Sequence, residues 1–265
     1  MTTRLVLVLG MHRSGTSVAA AGLQCLGVSL GDHLVGSGPD NPKGFWENSD
    51  VLRIDEEALA AIGQDWQAAE RFSDDAFAAP ALAPLRDAGR AALRDQSSRF
   101  PLFGLKEPRL CRLLPFWRPI FDDLGCDISL VYVVRDPASV ARSLATRNRL
   151  PMPRGRALWL RYVLDSFNGA DPAWPAVVVQ HQLMMQDPIG QLRRMAAALQ
   201  LPLDDGMAKA FAATFIDERL WHERDVTAIG GPVGDVWGLC RDAASDSLSL
   251  DEFRTRLADI DASGA

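Results

Sequence analysis

"LVLVLGMHRSGTSVAAAGL" (residues 5–23) passes from an unbroken apolar run into a glycine loop and out again into a helical pattern. Leu5–Leu9 reads as a buried parallel strand. The loop is Gly10-x-x-x-x-Gly15-Thr16-Ser17, the outline of a phosphate cradle. A strand that feeds such a loop and then a helix aims backbone N–H groups at one point, and the positive helix end adds to the pull on an anion. Gly10 and Gly15 allow a close backbone approach that a side chain would obstruct. Ser14, Thr16 and Ser17 bring hydroxyl donors, and Arg13 a planar fork for phosphate oxygens. The plainer alternative is an ordinary strand-to-helix turn with a cap.

The composition of the loop decides which phosphate it fits. An ATP-binding loop carries a lysine where this chain has Thr16, and a second strand then ends in a metal-binding aspartate. Here the strand "ISLVYVVRDP" ends in Arg135, a cation where a metal site wants a carboxylate, and Asp136 reads as a helix cap. The ATP reading therefore loses both of its parts, and no metal is expected.

Working outward, three more apolar runs read as buried parallel strands: Leu102–Leu105, Ile128–Val134 and Ala176–Val179. Helical patterns alternate with them. Leu23 and Leu26 fall at helical spacing before Gly27, and the segment 50–62 starts behind Asn48–Ser49 and stops at Gly63. "RDPASV" and "QDPIGQ" announce helices with Asp136 and Asp187 as N-caps and Pro137 and Pro188 at the first helical position. "ALWLRYVLDSF" (157–167) is another apolar-striped helix. Residues 64–100, rich in Ala and Asp, read as helical and peripheral, and 203–265 as a helical C-terminal region with a frayed "DASGA" tail. The expected class is α/β, three layers with a central parallel sheet flanked by helices, around a P-loop-like nucleotide-binding core within one domain over 1–265.

Bulk properties narrow the partners. A chain of 265 residues, 48% hydrophobic and 23% charged, has the composition of an ordinary globular protein with a core that needs no staples. A formal charge of −6 argues against general nucleic-acid or anionic-membrane binding, so an anion site must be a local basic pocket. Cys25, Cys111, Cys126 and Cys240 lie far apart without ligand spacing and read as reduced thiols. The first apolar run is too short to span a membrane and lacks signal-peptide flanks, so the expected location is cytoplasmic.

"HRSGTS", "LKEPRL" and "VVRDPASVARS", in this order and spacing, resemble the bacterial-type sulfotransferases that use 3′-phosphoadenosine 5′-phosphosulfate (PAPS). "VVVQHQLMMQDPIGQLRRMAAALQLP" (177–202) resembles the same family's late strand-loop-helix. The resemblance implies a PAPS-binding loop of His12, Arg13, Ser14, Gly15, Thr16 and Ser17, with Arg13 as the basic residue before Ser-Gly-Thr. It also implies that Arg135 and Ser143, eight residues apart, read the 3′-phosphate. Seven helical residues lift Ser143 about 10 Å above the cap at roughly 1.5 Å each. Ser139 shares its face at i, i+4 and is placed to assist. The alternative is Arg135 in a structural ion pair and Ser143 simply packed.

Sulfuryl transfer, like phosphoryl transfer, rests on positioning and on stabilising charge that grows on the leaving oxygen. Arg13 and Lys106 are the cations for that charge, Lys106 by resemblance to a lysine after the second strand; otherwise Lys106 pairs with Glu107 at the surface. One branch of the family carries its base two residues after that lysine, where this chain has Pro108. Other branches use a glutamate after the first helix, and "NPKGFWENSD" places Glu47 there. Glu47 is the candidate base, Asp50 the reserve and His12 the third choice; the alternative makes Glu47 a helix-dipole partner.

"GGPVGDVWG" (230–238) reads as helix packing through Val236, Trp237 and Leu239, and His181 and His222 as structural. Arg147, Arg149, Arg154 and Arg156 form either a basic lid or a solvated loop. The acceptor pocket falls to 33–80 and 145–160, and the acceptor to a glycan or a small metabolite, with a protein tyrosine open. The competing readings are a P-loop kinase-like phosphotransferase and a non-catalytic module that binds PAPS or its product.

Overall fold

Four strands, Arg4–Leu9 (β1), Leu102–Lys106 (β2), Asp127–Val134 (β3) and Ala176–Gln180 (β4), form one all-parallel sheet in the order β2-β1-β3-β4. The computed structural model describes residues 3–38, 43–216 and 229–264. Each strand lies within a residue or two of its predicted run. Side chains alternate between two apolar layers, as a two-residue period demands. Leu5, Leu7 and Leu9 of β1 join Leu130, Tyr132 and Val178 on one face; Val6 and Val8 join Val131, Val133 and Val179 on the other.

Helices cover both faces. Thr16–Leu23 (α1) follows the glycine loop and tightens into a 3-10 turn over 24–26, ended by Gly27 at φ 75°. Ser49–Ala61 (α2) is capped by Asn48, whose side chain accepts from the N–H groups of Asp50 and Val51. Ala83–Arg99 (α3) leads to β2, and Leu110–Asp123 (α4) to β3. The sequence reading did not predict α4: Pro115 and Pro119 interrupt the pattern of donors, while its apolar face (Leu113, Phe116, Trp117, Ile120) is fully buried. Pro137–Asn148 (α5) and Met152–Asn168 (α6) connect β3 to β4, and Asp136 caps α5 as predicted. His181–Gln186 (α7), Pro188–Leu199 (α8, capped by Asp187), Asp205–Thr214 (α9), Gly231–Ala244 (α10) and Leu250–Ala262 (α11) complete the described chain.

Three expectations are revised. Residues 64–100 are helical mainly from 83 onward; the irregular run before it is not peripheral. Ala68 and Phe72 are buried, and the Ala68 and Glu70 carbonyls accept from the Arg112 guanidinium. A sequence pattern registers no such long-range anchor. The Arg147–Arg156 stretch is no open loop: only 149–151 separate α5 from α6, with Arg149 as the left-handed cap. The C-terminal "DASGA" is held through its first residues, because Asp261 in α11 pairs with Arg161 and accepts from Asn168. Val236, Trp237 and Leu239 are buried helix packing. His222 lies outside the described residues. No described helix is long and apolar enough to cross a membrane.

Candidate active site

The strand order puts a topological switch between β1 and β3: the chain leaves β1 toward β2 on one side and returns to β3 on the other. Loops at the carboxyl ends of such strands diverge and leave a crevice. The loop 10–15 after β1 and Arg135 after β3 flank it.

The glycine loop is shaped by contacts that exclude side chains. A Cβ on Gly10 would lie 2.5 Å from the Val133 carbonyl oxygen, and one on Gly15 2.1 Å from Cδ2 of His181. Gly15 also sits at φ 88°. Arg13 adopts φ 71°, which is costly for a residue with a Cβ and is found where surrounding structure imposes it. Gly15 is the N-cap of α1 and no side chain caps that helix. The Ser14 hydroxyl is buried and has no hydrogen-bond partner, a cost of about 1–3 kcal/mol in the absence of a ligand. An uncapped helix start and an orphaned hydroxyl facing one loop are what an anion would satisfy. Thr16 is buried and packs on Gly10, and the Ser17 hydroxyl donates to the Phe45 carbonyl at 3.2 Å.

Two motifs far apart in the chain meet here. Arg13 Nε donates to Ser143 Oγ at 2.9 Å, and Arg135 Nη1 donates to the Arg13 carbonyl at 3.1 Å. Ser139 Oγ accepts from Arg142 Nη2 at 3.3 Å, so Ser139 serves Arg142 in this state. Arg13 thus reaches toward α5 rather than toward Lys106. His181, read as structural, packs on the loop; burial and the nearby Arg135 push its imidazole down to about 3, so it stays neutral.

Lys106 ends β2 buried. Its ammonium donates to Glu47 Oε1 at 2.6 Å and to the Phe45 carbonyl at 3.0 Å, with only 3% of the lysine side chain and 11% of the glutamate side chain exposed. The expected surface alternative, Lys106 with Glu107, is displaced: Glu107 is wholly buried and binds Arg109 instead. Burial lowers the Lys106 ammonium below its ordinary value, and the Glu47 carboxylate opposes that shift. Glu47 is not a cap, since Asn48 holds that place. Asp50 turns away to an exposed ion pair with His33 at 2.7 Å.

Beside this pair a cavity of about 270 Å³ is lined by His12, Glu47, Phe45, Trp66, Arg109 and Asn148, among others. His12 packs against Trp66 and Tyr162, with ring centroids 4.8 and 5.9 Å away. Burial, then Arg109, Lys106, Arg147 and Arg13, hold its imidazole well below the ordinary histidine range, hence neutral. Sequence reasoning missed Arg109 and Trp66. Arg109 stands in the quoted "LKEPRL" and offered a signal, whereas Trp66 lies in a featureless stretch. It also missed the Cys111 thiol, which accepts from the Gly10 N–H at 3.0 Å under the loop.

The parallel sheet thus carries a glycine loop at its switch point, two arginines and a serine on one side and a buried lysine–glutamate pair on the other, a set of donors and charges able to hold an anion. Among solved structures, the chain is similar to a sulfotransferase domain from the curacin biosynthetic pathway over 97% of this chain and 96% of that one, with a TM-score of 0.51 and 14% identity. It is also similar to a sulfotransferase domain from the Synechococcus PCC 7002 olefin synthase over 99% and 96% of the two chains, with a TM-score of 0.44 and 17% identity. No family model and no curated protein matches the sequence. The fold is that of the sulfotransferase domains.

Proposed function

We propose that this protein, acting as a single sulfotransferase-like domain, transfers a sulfuryl group from PAPS to the hydroxyl of a small molecule or glycan. The observation that carries this reading is the meeting of Arg13, Arg135 and Ser143, three residues from two motifs about 120 positions apart, beside an uncapped helix start and an orphaned Ser14 hydroxyl. Arg135 and Ser143 hold the 3′-phosphate, while the loop from His12 to Ser17 holds the 5′ end. Bound PAPS supplies a sulfuryl group on a phosphate leaving group.

Glu47 takes the proton of the acceptor hydroxyl as that oxygen attacks. Protonation removes the partner charge of the Lys106 ammonium, which then serves the charge growing on the leaving oxygen; Arg13 adds the second cation. One proton transfer thereby readies both ends of the in-line displacement.

Calorimetry tests the donor assignment. Adenosine 3′,5′-bisphosphate is expected to bind at least tenfold more tightly than AMP, and Arg135→Ala is expected to erase that difference. Equal affinity for the two nucleotides, or tight magnesium-dependent ATP binding, would refute the reading.

A further inference from the structure

The 270 Å³ cavity beside Glu47 has a wall whose charges cancel and whose polar groups do not. Four ionised side chains line it, Glu47, Glu56, Arg109 and Arg147. Glu47 is bound by Lys106. The Arg109 guanidinium is shared between Glu107 at 2.5 Å and Glu56 at 2.8 Å, and Arg147 is itself engaged. Two positive and two negative charges, each with its partner, leave no surplus to recognise a carboxylate, phosphate or amine on an acceptor. Binding such a group would break an existing pair.

The neutral hydrogen-bonding inventory is different. His12 Nε2, Arg109 Nε and Asn148 Oδ1 are shielded from water and have no hydrogen-bond partner, and all three belong to residues that line this one cavity. They come from the glycine loop, from the turn after β2 and from the last residue of α5. Arg109 Nε is a donor, Asn148 Oδ1 an acceptor, and a neutral His12 nitrogen either, according to tautomer. A hydroxyl both donates and accepts, so a ring bearing several hydroxyls matches such a mixed set. Phe45 and Trp66 supply flat apolar faces for the C–H surface of a ring. The cavity, at about 270 Å³, has the size for a single small ring.

We propose that this cavity is the acceptor subsite and takes one uncharged, polyhydroxylated ring, a neutral monosaccharide unit, with His12, Arg109 and Asn148 as its specificity contacts. The assignment of the cavity to an acceptor rests on the sulfotransferase reading; the chemistry of its ligand rests on the wall itself.

The experiment reads binding and needs no donor. Imidazole NMR signals of the full chain, with His12 assigned through His12→Asn, are followed during titration with neutral methyl glycosides (gluco, galacto, manno and fuco), with glucuronate, with glucosamine and with 4-methylphenol. At least one neutral glycoside is expected to shift the His12 signals at millimolar concentration, with glucuronate and glucosamine at least tenfold weaker. Asn148→Ala, at the last residue of α5, is expected to weaken that glycoside tenfold or more and to leave 4-methylphenol unchanged. The proposal is overturned if no neutral glycoside reaches His12, if the charged sugars bind as well, or if Asn148→Ala changes nothing. Absence of adenosine 3′,5′-bisphosphate binding in parallel calorimetry would refute the donor reading alone and leave these titrations readable.

Discussion

Replacing Glu47 by glutamine separates the two roles that the Lys106 pair combines. Glutamine keeps the shape and one acceptor oxygen, yet it can neither take a proton nor carry charge. Breaking a buried ion pair costs about 3–5 kcal/mol, since one charge remains uncompensated. The Phe45 carbonyl stays on the ammonium and the amide oxygen replaces Oε1, so the low end, about 3 kcal/mol, is expected. For a chain of this size that is a fall of roughly 6–12 °C in melting temperature. Transfer is expected to fall about 10²–10⁴-fold, while binding of adenosine 3′,5′-bisphosphate stays close to wild type, because Glu47 lies on the acceptor side. Lys106→Met supplies the partner for a double-mutant cycle. The double variant, with no stranded ammonium, is expected to be more stable than the sum of the singles by at least about 1 kcal/mol. Asp50→Asn is the control; its pair with His33 is solvent-exposed and is expected to matter by less than about 0.5 kcal/mol. A Glu47→Gln protein that melts at the wild-type temperature, adds independently to Lys106→Met and transfers within threefold of wild type would refute the reasoning. Loss of transfer in Asp50→Asn with Glu47→Gln active would move the base by one turn of chain.

Gly15→Ala is expected to abolish nucleotide binding in calorimetry while near-ultraviolet circular dichroism still shows a packed core, because its Cβ would meet His181 2.1 Å away at a φ of 88°; binding within threefold of wild type would show that the loop does not need this shape. His181 also sets a pH dependence of stability. Its pKa falls from about 6.5 in the unfolded chain to about 3 when folded, so the unfolded state binds more protons in between, and this contribution is lost as pH falls from 6.5 toward 3. Urea unfolding between pH 6.5 and 4.5 is expected to give wild-type stability a steeper decline than His181→Gln, the difference in slope rising to about 1.4 kcal/mol per pH unit by about pH 5; equal slopes would contradict a buried neutral imidazole.

Much of the scaffold was legible because it is written locally. Leu5–Leu9 and Ile128–Val134 are continuous apolar runs of strand length, and Asp136-Pro137 and Asp187-Pro188 mark helix starts with a cap and a pre-set φ. Helix α4 was not legible, since two prolines mask a segment whose helicity is fixed by burial of Phe116 and Trp117. Nor was Trp66: nothing near it in sequence distinguishes it, and its backbone is held from afar, by the Tyr162 hydroxyl donating to the Trp66 carbonyl at 2.8 Å and by Arg112 bound to the carbonyls of Ala68 and Glu70.

By itself the sequence determined the parallel α/β class and the glycine loop with Thr16 in place of a lysine, and it offered Arg13, Glu47, Lys106, Arg135 and Ser143 as candidates for a site. Spacing along a chain encodes turns, caps and the period of a strand, and these are short-range physics. Only the tertiary structure decided who faces whom. It joined Arg13 to Ser143 and Lys106 to Glu47, gave Glu107 to Arg109 and Asp50 to His33, and walled one cavity with residues from the loop, α2, α5 and the turn after β2. The Arg13–Ser143 and Lys106–Glu47 pairings, across 130 and 59 residues, are settled by the strand order and by the cost of leaving a buried charge alone, and no local pattern carries that information.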